Sequence, residues 1–190
     1  MFGLGIYKKK NIEVYKETIK NDDRNIMDLK QEILLLKDKQ KLIQYIEEIK
    51  KSKYESIIDI GINKGEPYVL IKRVTHNSLN ISMKNSYMRQ TPDVHASLSK
   101  EYSCSKLDGI CSPNKVVSII DIDAITKRRG NGRILIDALI LYAREHMYEK
   151  IIGELTDEDK NDTPGLPEFY REMGFIVNED ESSFVMELYY

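Results

Sequence analysis

Between Ile6 and Ile60 the chain holds neither glycine nor proline, and its apolar residues fall at helical spacing. Ile12, Ile19, Ile26 and Ile33 recur every seven residues, and Tyr15, Asp22, Leu29 and Leu36 follow them by three. Heptads with Ile at a and Leu at later d positions favour a parallel two-stranded coiled coil. The pattern therefore predicts a long helix that makes a homodimer; the alternative is an amphipathic helix packed on its own domain. Asp22 stands at a core position, and Asn21–Asn25 offers a place where the helix breaks and is capped anew near Asp22 or Asp23. Beyond Gln40 the stripe passes to Leu42, Ile46 and Ile49, a phase shift expected where a helix leaves one partner for another. Residues 1–53 are read as this helical segment and 54–190 as a globular domain.

The period then changes from helical to alternating. Ser56–Ile62, Tyr68–Thr75 and Leu79–Lys84 read as three strands of a meander, separated by Asn63-Lys64-Gly65 and Thr75-His76-Asn77. Asn85–Asn114 is polar, with Pro92, Pro113, Gly109 and many serines, and predicts a long loop carrying a short helix around Asp93–Lys100. Such a loop is either a wall of a substrate cleft or a disordered insertion. Val116–Ile125 is rich in β-branched residues and reads as a buried strand. Arg133–His146 places Ile134, Ala138 and Leu141 beside Leu135, Leu139 and Tyr142, which is an amphipathic helix. A strand at Lys150–Leu155, an acidic loop at Thr156–Asp162 and a helix from Pro164 to Gly174, N-capped by Asp162 or Thr163, come next. Phe175–Asn178 and Phe184–Tyr189 close the chain as a hairpin.

Composition narrows the setting. The net charge of −2 gives no global argument for nucleic acid or an anionic membrane, so neither is expected as a partner. No apolar run approaches the length of a membrane span, and Met1–Lys10 has its apolar part before its charges, the reverse of a secretory leader. Two cysteines, Cys104 and Cys111, make no disulfide framework and read as reduced thiols of a cytoplasmic protein. His76, His95 and His146 are scattered, and no Cys/His cluster has zinc spacing, so no metal is expected.

The chemical signal lies between the Val116–Ile125 strand and the Arg133–His146 helix. A basic turn with two glycines, Gly130 and Gly132, joins them. Glycines let backbone amides approach an anion closely, and the helix start supplies unpaired N–H groups and the positive end of its dipole. Lys127-Arg128-Arg129-Gly130-Asn131-Gly132 lacks both the Walker ending and the three-glycine dinucleotide fingerprint. It resembles the pyrophosphate turn of the GNAT acetyltransferase superfamily, Gln/Arg-x-x-Gly-x-Gly/Ala, with Lys127 in the first position. Glu168-Phe169-Tyr170-Arg171-Glu172-Met173-Gly174-Phe175 resembles the Phe-Tyr-x-x-x-Gly-Phe signature of the same superfamily. The two motifs stand in the family's order within the C-terminal part of the chain.

The resemblance implies an α+β, GNAT-like fold: a mixed, mostly antiparallel central sheet with a parallel splayed pair, flanked by helices, here preceded by the long N-terminal helix. It implies acetyl-CoA as cosubstrate and an amine-bearing acceptor that the sequence does not identify. The pantetheine arm would pair with the backbone of Ile122, Asp123 and Ala124, and Ile152–Leu155 would form the splayed partner strand. The pyrophosphate would sit on the turn, with Lys127, Arg128, Arg129, Gly130, Asn131, Gly132 and Arg133 as the cofactor-binding set. Tyr170 occupies the position of the proton donor, with a core role as its alternative. For the base, Glu154 comes first and Asp121 second, with a water chain as the third option. Between Tyr54 and Lys84 there is no room for the two helices that shape the family's acceptor site. Either the N-terminal helix or the 85–114 segment takes their place. The competing function is a coiled-coil structural or interaction protein whose GNAT-like domain binds CoA with little turnover.

Overall fold

A computed structural model describes the backbone of residues 3–85, 91–104, 111–125 and 129–189, with side chains for 12–85, 91–100, 115–125 and 129–189. Its elements are α1 (Gly3–Lys51), β1 (Glu55–Asn63), β2 (Glu66–Val74), β3 (Ser78–Lys84), β4 (Asp93–Cys104) and β5 (Cys111–Asp123). After these come α2 (Asn131–Glu145), β6 (Lys150–Glu154), α3 (Asp157–Asp162), α4 (Leu166–Glu172), β7 (Ile176–Val177) and β8 (Ser183–Glu187). The chain forms two units, Met1–Ile43 and Gln44–Tyr190.

The first unit is helix alone. Residues Asn21–Asn25 continue α1 without a break, because nothing there obliges the backbone to leave the helix: no glycine or proline intervenes. Ile12, Ile19, Ile26 and Ile33 are 49–60% exposed.

The second unit is built on one sheet of eight strands in the order β1-β2-β3-β4-β5-β6-β8-β7. Among the described residues only β5 and β6 run parallel, and every other pairing is antiparallel. The expected mixed sheet with one parallel pair is present, and α2 is the crossover that a parallel pair demands. Leu135, Ile136 and Leu139 of α2 are fully buried with Leu79, Ile81, Val94, Val117 and Ile151 from the strands. Tyr170 of α4 and Met173, which follows the helix, join the same core.

The β1–β2 connection is a tight turn in which Lys64 (φ 51°) and Gly65 (φ 84°) both take positive φ. That is the signature of a type I′ hairpin, whose twist matches the strands it joins. No helices intervene there, as the short spacing requires. The last turns of α1 belong to this unit: Ile49 is buried, and the Lys84 ammonium sits 3.6 Å from the Tyr45 ring centroid.

Three expectations are corrected. The segment expected to be a loop with a short helix is mostly strand. β4 runs opposite β5 from Asp93↔Asp123 to Cys104↔Cys111, and β5 starts before Pro113. Its alternation is real but quiet: Val94 and Ala96 are buried while Asp93, His95 and Ser97 face outward. With one inward residue as small as alanine, the pairing of neighbouring strands decides what propensity does not. Residues 86–90 and 105–110 of that segment lie outside the described residues. The acidic loop is the helix α3, opened by a capping box in which the Thr156 hydroxyl accepts from the Asp159 amide at 3.1 Å. The Thr156 amide in turn donates to Asp159 Oδ2 at 2.9 Å. The next helix starts at Leu166 behind a left-handed Gly165 (φ 90°), with Thr163 closing α3 rather than opening α4. Gly174 (φ 90°) ends that turn, as its left-handed conformation requires.

Among the described residues no helix is long and apolar enough to cross a membrane.

Candidate functional site

The parallel ladder between β5 and β6 is short. It pairs Val116↔Lys150, Val117↔Ile151, Ser118↔Ile152 and Ile119↔Gly153, and ends there, although β5 continues to Asp123. The cause lies one residue further along. Opposite β4, Ala96 pairs with Ile119 and His95 with Asp121, so Ile120 is an extra residue, a β-bulge. A bulge bends its strand and sharpens the local twist. β5 therefore turns with β4, while Glu154 pairs with Ser183 and the Leu155 amide donates to the Ser182 carbonyl at 2.8 Å, which keeps β6 with β8. The two strands diverge beyond Ile119 and Gly153, and Ile120 is left 60% exposed.

The far end of β5 leads into the turn before α2. Gly130 takes φ 86°, a conformation that other residues adopt at a cost of about 1–2 kcal/mol, and it occupies the N-cap position. Among the described residues no side chain caps α2, and no acid stands in its first turn. The first amides of a helix have no intrahelical partner, so α2 offers N–H groups and positive potential without a competing side chain. A Cβ at Gly132 would lie 3.5 Å from Phe169 Cζ and 3.8 Å from the Ala124 Cβ, so α4 and the end of β5 close around this first turn.

The side chains of the turn are less free than its sequence suggests. Asn131 is buried, and its Nδ2 donates to the Ala124 carbonyl at 3.2 Å. Its amide side chain thus serves the fold, and one carbonyl expected to face a pantetheine arm is already engaged. Arg129 lies 4.0 Å from Glu66 and Arg133 lies 3.3 Å from Glu172. Both pairs are exposed, and such pairs contribute only about 0–1 kcal/mol, so an incoming anion displaces them at small cost. Lys127 and Arg128 lie outside the described residues. Ile122 packs against the core opposite Val94, and Asp123 Oδ1 accepts from the Ile125 amide at 2.7 Å.

Tyr170 is 2% exposed. Its ring stacks on Phe184, with centroids 3.8 Å apart, and meets Phe169 and Phe175 edge-on. Its hydroxyl makes no hydrogen bond to another described residue. Burial, and then the charges of Asp159 and Asp121, push its pKa well above the ordinary phenol value. The hydroxyl is therefore held protonated, as a proton donor must be.

The candidate bases stand on the other side of the sheet. Asp121 is exposed opposite His95, on the face turned away from the core residues Val94 and Ala96. Glu154 is exposed at the end of β6, one residue past the last parallel pair. Strand alternation puts it on the same outward face, since Ile151 and Gly153 point into the core. The two carboxylates flank the divergence of β5 and β6, one on each strand. The sequence reading missed Asn63, which reaches the turn from the β1–β2 hairpin, and Gly153, whose missing side chain is filled by Phe184.

No family model matches the chain, and no match is found among curated proteins. Solved structures share part of the arrangement. A mutant AtaT toxin bound to the C-terminus of the antitoxin AtaR and acetyl-CoA is similar at 14% identity and a TM-score of 0.36, over 58% of this chain and 67% of that one. The KacTA–DNA complex is similar at 15% identity and a TM-score of 0.38, over 60% and 70% of the two chains.

Proposed function

We propose that the chain is an N-acetyltransferase of the GNAT type, which moves an acetyl group from acetyl-CoA to an amine. The observation that carries this reading is the divergence of β5 and β6 at the Ile120 bulge, which opens beside the uncapped start of α2. A diphosphate fits the amides of Gly130, Asn131, Gly132 and Arg133, because no side chain caps them and the helix dipole favours an anion there. Arg129 and Arg133, with Lys127 and Arg128 of the same turn, would supply cationic charge. The backbone of Ile122 and Asp123 remains as the edge for the pantetheine amides, with Ala124 contributing less because its carbonyl already accepts from Asn131.

Acetyl transfer to an amine requires that the amine be neutral and that the departing thiolate receive a proton. The acceptor would enter from the outward face, since α2 and α4 fill the other. Glu154 would take the ammonium proton, directly or through water, with Asp121 as second choice. Tyr170, protonated throughout the physiological range, would deliver a proton to the thiolate from the core side. Incubation of the full chain with acetyl-CoA and a panel of amines tests this, following free thiol and acetylated product together. The reading expects product with at least one amine and a slow hydrolysis without one. Absence of both would remove the enzyme reading.

A second reading rests on the exposed heptad stripe of Ile12 to Leu36. In it the helix makes the chain a homodimer, the coiled coil is the working part, and the CoA-binding domain turns over little. The division proposed is residues 1–53 for the coil and 54–190 for the transferase domain. The location proposed is cytoplasmic, which suits two cysteines with no disulfide framework.

A further inference from the structure

Asn63 ends β1, at the mouth of the β1–β2 turn, and is separated by 66 and 68 residues from the groups it holds. Its Nδ2 donates to the Arg129 carbonyl at 3.1 Å and to Asn131 Oδ1 at 3.0 Å. Asn131 Nδ2 passes the chain on to the Ala124 carbonyl at 3.2 Å. Both ends of this relay are backbone carbonyls, which only accept. That fixes the orientation of both amide groups: Asn63 must present nitrogen to Arg129, Asn131 must then present oxygen to Asn63, and its nitrogen is left for Ala124.

The relay joins the two sides of the anion turn. Ala124 directly follows the last residue of β5, and Arg129 immediately precedes the left-handed Gly130. Among the described residues no side chain caps α2, and Gly130 is the residue type with the widest backbone freedom, so the relay is the contact that ties Arg129 to the rest of the fold. Asn131 is buried, and leaving its amide unpaired would be costly, so the relay is maintained as a unit. Glu66, on the other side of the same hairpin, adds a contact to the Arg129 guanidinium at 4.0 Å.

We infer that Asn63 is a positioning residue for the diphosphate turn: it presets the backbone of Arg129–Gly132 through the Asn131 relay and touches no ligand itself. The inference rests on the CoA reading proposed above. It makes the β1–β2 hairpin part of the cofactor site, although that hairpin lies far from the turn in sequence.

The test compares the full-length chain with Asn63→Leu, which keeps the shape of asparagine without its donors or any new charge, and with Asn63→Ala. Amide hydrogen exchange is followed in the peptide spanning 124–133, and CoA affinity by equilibrium titration. Exchange in that peptide should quicken at least tenfold while strand β6 exchanges as before, and CoA should bind at least tenfold more weakly. Asn131→Ala combined with Asn63→Ala should lose less affinity than the two single losses added together, because the two side chains share one relay, with Asn63 also holding the Arg129 carbonyl directly. If the wild-type chain binds CoA and either the affinity or the exchange of the variants is unchanged, the inference is overturned. If the wild-type chain binds no CoA, the cofactor reading fails by itself. Exchange then decides the positioning role of Asn63: an unchanged rate at 124–133 overturns it, and a quickened one supports it.

Discussion

Tyr170 lies flat on Phe184, ring centroids 3.8 Å apart and planes inclined by 17°, and Phe184 in turn covers the bare α-carbon of Gly153. The residue placed as proton donor is thus seated on the strand that diverges from β5, through one aromatic ring. Its hydroxyl gains nothing visible from the fold, since it bonds to no other described residue. A hydroxyl buried without a described partner costs stability, and a catalytic task is one reason to keep it.

Tyr170→Phe separates the two roles. If the hydroxyl protonates the thiolate, kcat should fall by roughly 10- to 10,000-fold, the range for loss of a general acid, while CoA affinity stays within a few-fold. The ring stack survives, so stability should move by no more than about 1 kcal/mol. Steady-state kinetics with acetyl-CoA, or its slow hydrolysis when no acceptor is known, reads this directly. Turnover at the wild-type rate, with chemistry limiting, would assign the tyrosine to the core.

The same residue sets a pH dependence. Burial holds the folded-state pKa of Tyr170 above the unfolded value, so its stabilisation is fully present below about pH 10 and is lost as pH rises through the folded pKa. Denaturant titrations between pH 8 and pH 11 should therefore show wild type losing more stability than Tyr170→Phe above about pH 10. Parallel curves for the two proteins across that range would mean the hydroxyl is not held protonated by burial.

Gly153 is a packing requirement that the sequence disguises. Any Cβ there collides with the ring of Phe184. Gly153→Val should destabilise the fold by about 1–3 kcal/mol, the usual effect of overpacking, and disturb Tyr170 through the displaced ring. Gly153→Val combined with Phe184→Ala should lose less stability than the two single losses added together, because the valine then meets no ring. Strictly additive losses would show that the clash is not the cause.

Much of this was legible in the residues, and the failures have physical reasons. The strand–turn–helix around Gly130 was readable because β-branched residues, glycines and an amphipathic period follow one another there without ambiguity. The divergence of β5 from β6 was implied only by family likeness, since the Ile120 bulge looks like any other isoleucine in an apolar run. β4 was hidden because its inward side includes Ala96 and its outward side is Asp, His and Ser, a pattern that only pairing with β5 turns into a strand. Asn131 was readable as a backbone amide of the turn, but nothing in the sequence signalled that its side chain faces inward to Ala124. Contacts across more than sixty residues, such as Asn63 to Arg129, leave no local periodicity to read.

The homodimer proposed for the N-terminal helix has its weak point at Asp22, a d position. In a parallel pair, two such carboxylates meet in the seam and must desolvate together. Asp22→Leu should therefore tighten the dimer, and deletion of residues 1–36 should yield a monomer that still binds CoA. Sedimentation equilibrium checks both. A full-length chain that is monomeric at micromolar concentration contradicts the coiled coil.

The cofactor site is tested most directly by calorimetric titration of CoA into the full chain, with Gly130→Val and Gly132→Ala beside it. Gly130 needs its left-handed φ, so a β-branched residue there should distort the turn and abolish binding while the melting temperature falls only modestly. A Cβ at Gly132 meets Phe169 at ordinary contact distance, so the alanine should leave the fold intact and weaken binding less than Gly130→Val does. The account predicts one saturable CoA site in the wild-type chain, lost in Gly130→Val. No heat of binding with wild type, or equal binding by Gly130→Val, would contradict it.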